Sequence, residues 1–580
     1  MLRYTLILSF FFFTISTFAQ DIPQDRLSDW SLCGLTQSID NSSVEIDPVT
    51  DLGLSSDSSA NDNSSRLNNA IEAITQPTTF TFPSGIFLFL DPIVLKSNTT
   101  IKGNGRSTQF IFDEIGESDC IQLHGTTSKD PVAVNQSVKG KNHLILTNGG
   151  LFSPDKIILI ADTDSNKIFS SWALHSTGQV GKVKNQTGDT LFLHNKLRRE
   201  YLAENDPHFF VTEPITNASV ENISILRLDS SASNTSNIGL NYAYNCLIKC
   251  VSSELCDFAH ISSSRGLHNS IIGNYLTKSA DYGGGGSGYG IVLQFTNSEC
   301  LVSDNTFSQL RHSILIQSGA NGNVIAYNYS RDPFWEGTSL PSDAAGDLVL
   351  HGNYPYANLC EGNVVQNIVI DESHGINGPN NIIFRNRAKG YGIVMNSSIP
   401  SDSQLFIGNE VTNTSFFKGL YLLAGDGHYE FGNNIKGTAR PNGTASLQVS
   451  SLYLDNAPPN EDALTWPSVG YPNSIEKYTN NAELRFSRQR FTLCDTAITN
   501  YILPLDTETL TIYPNPSSGL ISILQNDGFT HYQLLDSKGM EIDNGILKYQ
   551  MDFSSLSSGL YYLTLSDRET RIVKKLIITY

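Results

Sequence analysis

Short apolar segments in the middle of the chain end repeatedly on an asparagine. From residue 270 onwards these asparagines are separated by 31, 23, 35, 23, 23 and 24 residues, and they are Asn274, Asn305, Asn328, Asn363, Asn386, Asn409 and Asn433. A period near 23 residues with strand-like segments predicts a solenoid of stacked β-coils. Asparagines that share a column of such a stack can hydrogen-bond from coil to coil. The extra residues in the two long gaps must leave the stack as loops on its flank.

A second polar column is predicted where four later apolar strands end. The strands end on Gln294, Gln317, His351 and Asn396, and Gln294 and Gln317 are 23 residues apart, as are His351 and His374. Residues one coil apart lie roughly 4.8 Å from each other up a stack. We therefore expect His351 and His374 to be neighbours on one face, with Gln317 below them.

The two long gaps predict two loops beside this column. The first, residues 281–289, is rich in glycine and contains Tyr282, and the second, residues 331–343, contains Trp335 and Glu336. The glycine-rich segment is not a phosphate-binding loop, because no helix and no Lys-Ser/Thr pair follow it. Aromatic and carboxylate side chains beside a polar column predict a groove for sugars, whose ring faces are apolar and whose hydroxyls bind carboxylates and amides.

Elimination by a polysaccharide lyase is one chemistry that such a groove could carry. A base removes a proton next to a substrate carboxylate, and a cation stabilises the negative charge that develops. The candidate bases are His351 and His374, and the candidate cations are Arg311, Arg385 and Arg387. The last two flank a ladder asparagine and are expected to point away from the core. The candidate substrate-binding residues are Gln294, Gln317, Arg311, Tyr282, Trp335, Glu336 and Arg387.

Hydrolysis is the other chemistry that the side chains allow. Asp347 and Asp371 are 24 residues apart and are expected to stack, where either could orient a histidine or bind calcium. In a glycoside hydrolase two carboxyl groups lie on either side of the bond, about 5–5.5 Å apart for retention and further apart for inversion. The pairs that fit are Asp347 with Asp371 and Glu336 with Asp371. The candidates also have structural interpretations: the histidines as strand-end residues bonded to turn backbone, the two aspartates as turn residues, Arg385 and Arg387 as solvated surface residues, Arg311 as a structural residue before a buried strand, and Trp335 as a residue that holds its loop.

The remaining patterns divide the chain into six parts. A helix over residues 66–74 followed by strands near residues 80–82, 86–90 and 93–95 predicts a capped start of the solenoid. The period breaks between residues 113 and 217, where three strand patterns predict an inserted antiparallel domain. The predicted parts are a signal peptide (1–19), an N-terminal cap with the first coils (20–112), the insertion (113–217), the main β-helix (218–450), a C-terminal cap and linker (451–506) and a last β-domain (507–580).

Composition and the N-terminus indicate an exported protein. Arg3, an apolar run over residues 6–15 and the Thr17-Phe18-Ala19 sequence are typical of a signal peptide, and no later segment is long and apolar enough to span a membrane as a helix. The formal net charge of −19 argues against nucleic acid as a partner. It also disfavours a polyanionic substrate unless a metal ion or a local basic patch offsets the repulsion.

The eight cysteines do not have the spacing of a zinc site, because no CxxC pair is accompanied by a second pair or by two histidines. Most are expected to be buried apolar residues, and an oxidising compartment would allow one or two disulfides. Cys250 precedes Asn274 by 24 residues and is expected to occupy the asparagine column. No cofactor is identified from the sequence, and calcium remains one option.

The opening segment resembles the pectate-lyase superfamily of right-handed parallel β-helix proteins. The resemblance rests on the Asp-rich lead, the short helix, the Pro83-Ser84-Gly85 turn and the Gly103-Asn104-Gly105 sequence, and it covers about residues 45–450. It implies the fold, which carries many chemistries and some purely binding proteins. The polygalacturonase motifs are not present: Ser373-His374-Gly375 is a faint echo of one of them.

The last 70 or so residues resemble the type A C-terminal sorting domain of the type IX secretion system of Bacteroidota. The motifs are the Tyr513-Pro514-Asn515-Pro516 start, the Ser558-Gly559-Leu560-Tyr561 segment and the Lys574-Lys575 pair. The resemblance implies export by that machinery, followed by removal of this domain and either release or attachment at the cell surface. The prediction is therefore a secreted or surface-bound enzyme that cleaves a polysaccharide by β-elimination or hydrolysis. The alternative is a non-catalytic β-helix that binds glycans or mediates adhesion.

Overall fold

The repeating apolar segments form the three faces of a parallel β-helix. The computed structural model describes residues 22–57, 61–147, 149–231, 233–337, 339–395, 399–444, 447–458, 466–467, 469, 479–495, 511–524, 529–536, 540–566 and 571–579. The predicted signal peptide lies outside these residues. Within them nearly all of the regular secondary structure is strand, and the predicted all-β class and parallel β-helix are confirmed.

Each coil contributes one short strand to the first face, and parallel pairing extends this face along the whole solenoid. Its strands in the described chain are Val44–Ile46, Thr78–Thr81, Thr99–Lys102, Ser219–Glu221, Leu247–Lys249, Ser270–Ile272, Leu301–Ser303, Val324–Ala326, Leu359–Glu361, Ile382–Phe384, Leu405–Ile407 and Tyr429–Phe431. The inward side chains of all three faces pack into one long core, which α-helix Ser64–Ala73 covers at its start with Leu67 and Ile71.

The second and third faces carry the other strands of each coil. The second face contains Gly85–Phe89, Thr108–Phe112, Ser224–Arg227, Ser252–Glu254, Tyr275–Thr277, Thr306–Ser308, Tyr329–Arg331, Glu410–Val411 and Asn433–Ile435, which pairs with Thr438–Arg440. The third face contains Ile93–Val94, Ile121–His124, Ser236–Asn241, Ala259–Ser264, Tyr289–Gln294, His312–Ile316, Leu348–Leu350 and Leu420–Leu422. Two long strands, Val364–Ile370 and Arg387–Met395, bend from the second face into the third.

The predicted asparagine ladder is confirmed. Each ladder side chain from Asn274 to Asn409 donates from Nδ2 to Oδ1 of the next asparagine at 2.8–3.2 Å, and all of them are buried. A second ladder runs on the other side of the first-face strands through Asn297, Asn323, Asn358, Asn381 and Gln404. Amides thus bracket these strands at both turns. This second ladder was not predicted.

Cys250 does not occupy the ladder column, which corrects the expectation from the sequence. The register of Leu247 with Ser270 places Val251 beside Asn274, and Cys250 therefore lies one residue earlier, beside Gly273. Cys250 forms a disulfide with Cys494, and the other six cysteines are free.

The insertion is an antiparallel sheet with its own core. Its strands are Thr126–Thr127, Val132–Ala133, His143–Ile145, Ile157–Ala161, Gln179–Thr187, Thr190–Leu193 and His208–Glu213. The antiparallel pairing expected from the sequence is confirmed. The insertion occupies a shorter range than the predicted residues 113–217. Before it, Ile121–His124 still pairs with Ser236–Asn241 in the solenoid, and at its end Ile215–Thr216 pairs in parallel with Ala243–Tyr244.

The described residues 479–495, which follow the last coil in sequence, run back along the solenoid. Asn480 donates to the carbonyl groups of Asn328 and Gly362, and α-helix Asn481–Ser487 follows along the second face. Arg485 in this helix pairs with Asp304 at 2.8 Å, and Cys494 is bonded to Cys250. Residues 479–495 therefore tie several coils together.

The last domain is a β-sandwich with a separate core. Its strands are Thr511–Tyr513, Leu520–Leu524, His531–Leu535, Glu541–Ile546, Gln550–Asp552, Gly559–Ser566 and Arg571–Ile578, in sheets of three and four within the described residues. None of the helices in the described ranges is long and apolar enough to cross a membrane.

Candidate functional site

A cleft of about 1360 Å³ lies on the outer side of the third face. Val349, Val369 and Val394 line it from successive coils, so its floor is apolar. Loops that leave the stack form its walls, as the two long sequence gaps predicted. One rim follows the carboxyl ends of the strands and carries His351 and His374. The opposite rim lies at the strand starts and carries Arg311.

His351 and Asp371 are brought together by a short coil. Strand Leu348–Leu350 pairs with Ile368 to Ile370, an offset of only 20 residues, so His351 and Asp371 are the next residues in register. His351 Nδ1 lies 2.5 Å from Asp371 Oδ2. His374 follows three residues later, and its ring centroid is 4.9 Å from that of His351. The expected proximity of the two histidines is confirmed, but the register neighbour of His351 is Asp371.

The electrostatics of this group favour an ionised Asp371. Burial alone would raise the pKa of this carboxyl, but the hydrogen bond and charge of His351, together with the two bonds from Ser373, hold it well below its usual range. Burial, followed by the charge of His351, lowers the pKa of His374. At neutral pH the carboxylate therefore holds one ring nitrogen of His351, while His374 is neutral.

Arg311 provides a positive charge on the opposite rim. Its Nη1 donates to the carbonyl of Gly283 in the glycine-rich loop at 2.6 Å. The guanidinium carbon lies 5.2 Å from the ring centroid of Trp335 and 5.7 Å from that of Tyr289. Its Nε is buried without a hydrogen-bond partner, and no ion pair found within the described residues includes Arg311. This guanidinium can therefore bind an anion that enters the cleft.

Tyr289 and His312 complete the base of this rim. Their rings stack with centroids 5.1 Å apart, and His312 Nδ1 lies 2.7 Å from the carbonyl oxygen of Gly346. Burial lowers the pKa of His312 to about 3, so this ring is neutral. His312 therefore serves to fix the position of Tyr289 and of the next coil. Gln317 donates to Gln294 at 2.7 Å, and both amides face the cleft near His351.

Five predicted site residues lie outside the cleft. Asp347 pairs in register with Asn367 and not with Asp371, because of the short coil. Its carboxylate is fully buried and accepts from Ser330 and from the amides of Gln366 and Asn367 at 2.6–2.9 Å. Burial raises its pKa to about 6. The expected stack of Asp347 on Asp371 is therefore wrong.

The two arginines beside Asn386 are structural. Arg385 lies on the outer side of the first face and donates to the carbonyl groups of Val449 and Leu447. Arg387 begins a strand of the second face, is 1% exposed, and its Nε lies 2.6 Å from Glu410. Arg387 nevertheless points away from the solenoid core, as the sequence predicts: it is in register with Val364 and Glu410, and the inward position next to it is Ala388.

Tyr282 and Glu336 shape the loops without facing the cleft. Tyr282 accepts from the amide of Ser279 at 3.0 Å and packs edge-on against Phe334, with centroids 5.0 Å apart. Glu336 is exposed, and its amide donates to the carbonyl of Tyr282. The two loops thus support each other through these residues.

Sequence reasoning missed the contribution of the insertion to the cleft. Trp172 lies on a loop between two insertion strands, and its ring centroid is 6.0 Å from that of His374. The pattern of the insertion shows strands but does not show which loop meets the solenoid. Tyr391 and Asn367 also line the cleft, at positions that depend on the bend of the two long strands.

The residues present do not form a metal centre of the usual kind. In the part of the chain that the structure describes, no group of three or more His, Cys, Asp or Glu side chains is placed to hold a metal ion. Asp371 is the single carboxylate among the described cleft residues, and His351 already occupies one of its oxygens. A calcium ion takes about six to eight oxygen ligands, and Asp371 is the only charged one that the described cleft residues could supply.

Two family models match parts of the chain. Residues 511–579 match the secretion system C-terminal sorting domain. The last domain is a secretion-system sorting domain. It directs the protein to the outer surface or the extracellular space, as the type IX resemblance predicted. Residues 48–148 match the model described as rhamnogalacturonase A/epimerase, pectate lyase-like. The start of the solenoid is therefore pectate-lyase-like.

Among solved structures, three phage tailspikes are similar to the chain. The match to the Pseudomonas phage phi297 tailspike gp61 has 11% identity, covers 63% of this chain and 73% of the tailspike chain, and has a TM-score of 0.35. The tailspike Gp54 of Acinetobacter baumannii bacteriophage AP22, in complex with capsular saccharide, has 11% identity, coverages of 66% and 76%, and a TM-score of 0.32. The tailspike gp49 of Pseudomonas phage LKA1 has 12% identity, coverages of 64% and 75%, and a TM-score of 0.32. No curated protein matches the sequence.

Proposed function

We propose that this exported protein is a polysaccharide lyase that cleaves a uronate-containing chain by β-elimination. The observation that carries the proposal is the composition of the cleft. One rim presents a histidine held by an ionised carboxylate, His351 with Asp371, and the other presents Arg311 without an acidic partner among the described residues. These are the base and the cation that elimination next to a carboxylate requires.

The roles follow from the contacts. Arg311 binds the uronate carboxylate and stabilises the negative charge that develops when the proton on the adjacent carbon is removed. Asp371 holds Nδ1 of His351, which leaves Nε2 to accept that proton. The electron pair of the broken C–H bond forms the C4–C5 double bond, and the bond from C4 to the glycosidic oxygen breaks. The departing oxygen takes a proton from the histidine pair, His351 and His374.

Hydrolysis by two carboxyl groups has less support. That mechanism needs a second carboxyl group on the other side of the bond. Asp347 is buried in the solenoid wall and Glu336 faces away from the cleft, so neither candidate partner of Asp371 reaches it. The described cleft residues include a single carboxylate. A protein of net charge −19 would repel an acidic substrate, and the positive charge of Arg311 offsets that repulsion within the cleft.

The test is a panel of uronate-containing and neutral polysaccharides with the purified protein. Elimination produces an unsaturated uronate that absorbs in the ultraviolet, whereas hydrolysis produces reducing ends without this absorbance. We expect absorbance to rise with at least one uronate-containing polymer and with no neutral polymer. New reducing ends without absorbance would establish a hydrolase instead, and binding without either signal would favour the adhesive alternative.

Variants assign the signal to the proposed site. His351→Ala should lower kcat by about 100-fold or more, because it removes the proton acceptor. Asp371→Asn should lower kcat strongly with little effect on KM, because the amide no longer fixes the histidine. The matched control is His124→Ala, whose ring pairs with Asp119 at 3.1 Å on an earlier coil of the same face, outside the cleft. Equal activity of the His351 and His124 variants would refute the assignment.

A further inference from the structure

The inserted domain reaches the cleft through one loop, residues 168–177, here called the insertion loop. A short 3-10 helix, Ser171–Ala173, turns Trp172 towards His374. The indole lines the cleft and yet is 49% exposed. Its ring makes edge contacts with Phe295 and His374, with centroid distances of 5.9 and 6.0 Å. About half of a large aromatic side chain is therefore left open beside the proposed reaction centre.

The insertion loop is held in place on both sides of Trp172. The amides of Phe169 and Ser170 donate to Oδ1 of Asn353 at 3.1 and 3.0 Å. Beyond the tryptophan, Thr296 Oγ1 donates to the carbonyl of Ser176 at 2.6 Å. Asn353 and Thr296 belong to turns of two different coils of the solenoid. The orientation of the indole is thus fixed before any ligand binds.

The solenoid is shaped to receive this loop. Gly375 follows His374 and has a φ of +80°, and a β-carbon at this position would lie 2.5 Å from Cβ of Phe169. A side chain at Gly375 would therefore displace the loop and move Trp172 away from the histidines. The close approach of the inserted domain and the active-site turn is a built contact and not a chance proximity of two surfaces.

We infer that Trp172 is a sugar-binding platform that sets how the saccharide chain enters the active site. Resting on the proposed lyase function, this inference assigns the exposed part of the indole to the sugar ring next to the one that reacts at His351. An exposed aromatic ring in a fixed orientation gains most when the apolar face of a sugar covers it. The two glutamine amides beside Phe295 then face the hydroxyl groups of the same sugar.

The inference predicts how binding and turnover should separate. Trp172→Ala should raise KM by about tenfold, because roughly half of an aromatic surface loses its partner. When the same substitution is made in the non-cleaving His351→Ala protein, the Kd for an acidic oligosaccharide should rise by about the same factor. The value of kcat should change by less than about twofold, since the base and the cation are unaltered. Trp172→Phe should restore most of the binding. The effect should disappear for oligosaccharides too short to occupy the second position.

The matched control is Phe169→Ala. Phe169 lies on the same loop and is 69% exposed, but it does not line the cleft, and alanine keeps the Cβ that contacts Gly375. We expect KM and Kd of this variant to equal those of the parent. Thermal unfolding of both variants shows whether each is folded, and a folded Trp172→Ala protein with parental Kd and KM would overturn the inference.

The outcomes separate this inference from the proposed function. If the parent cleaves the polymer and Trp172→Ala has the same KM and Kd, the platform role of Trp172 is refuted and the lyase function stands. If binding depends on Trp172 but the parent cleaves no polymer, the platform role of Trp172 stands and the lyase function is refuted. Binding that falls equally in the Trp172 and Phe169 variants would show a general disturbance of the loop and would also overturn the inference.

Discussion

Replacing one ladder asparagine tests whether the amide column stabilises the solenoid. Asn328 lies in the middle of the ladder and is fully buried. Its Oδ1 accepts from N and Nδ2 of Asn305 at 3.0 and 2.9 Å. Its Nδ2 donates to the carbonyl of Val302 at 3.0 Å and to Oδ1 of Asn363 at 2.9 Å. Asn328→Ala removes all four hydrogen bonds.

The four bonds do not contribute equally to the cost. Oδ1 of Asn363 keeps the amide of residue 328 as a partner, and Nδ2 of Asn305 keeps the carbonyl of Ile271 at 2.9 Å. The backbone amide of Asn305, in contrast, loses the acceptor that the ladder supplies. A buried polar group left without a partner costs about 1–3 kcal/mol, and each lost bond with a surviving partner costs less. We expect the variant to lose roughly 2–4 kcal/mol of unfolding free energy.

Thermal unfolding and hydrogen exchange measure this effect at two levels. The apparent melting temperature should fall, and the amide of Asn305 should exchange faster than in the parent, because its acceptor is gone. Asn185→Ala is the control: this asparagine is exposed on an insertion strand, where substitutions change stability by about 0.5 kcal/mol or less. If both variants melt at the same temperature and the Asn305 amide stays protected, the ladder does not stabilise the solenoid.

Two further predictions concern the straps and the buried acids. Cys494→Ser should lower the apparent melting temperature and make it insensitive to reductant, because the bond to Cys250 closes a long loop and such bonds contribute roughly 2–4 kcal/mol; a reductant-sensitive melting temperature in the variant would contradict this. Burial raises the pKa of Glu361 from 4.5 to about 7, so this carboxyl group stays protonated in the folded state at pH values where it ionises in the unfolded state. The free energy of unfolding should therefore fall by about 3 kcal/mol as pH rises from about 4.5 through 7. Glu361→Gln should therefore lose less stability than the parent between pH 5 and 8, as followed by thermal unfolding, and an unchanged pH dependence would contradict the assignment.

The sequence predicts the solenoid well because its strongest signal is local. An asparagine at each turn, followed by an apolar strand, specifies one coil at a time, and the ladder from Asn274 to Asn433 follows from that repeat. The second ladder carries the same information but is interrupted, since Cys300 and Gln404 stand at positions where neighbouring coils have asparagine. A repeat of a single residue type therefore indicates the first ladder and does not indicate the second.

The candidate site was predicted less completely, because a fixed period cannot show a coil that is shorter than the others. Counting 23 residues paired His351 with His374, whereas the actual offset of 20 residues at Leu348 and Ile368 pairs it with Asp371. Because of the same three-residue difference, Asp347 pairs with Asn367 and lies outside the cleft. Both histidines still met, because the turn after Ile370 folds back over the strand end.

The short coil also explains how the proposed catalytic pair, His351 and Asp371, forms on this face. In a regular stack each position at a strand end meets its own equivalent, which gives like-with-like contacts such as Gln294 with Gln317. Such columns stabilise the fold but rarely bring a carboxylate to a histidine. Where the coil is three residues short, His351 instead meets a residue from a different position of the repeat, and the close contact with Asp371 results. Loops that leave the stack on both sides, and the insertion loop in particular, then enclose that one irregular contact. On this view the regular coils provide a rigid wall, and the chemistry depends on the places where the repeat is broken.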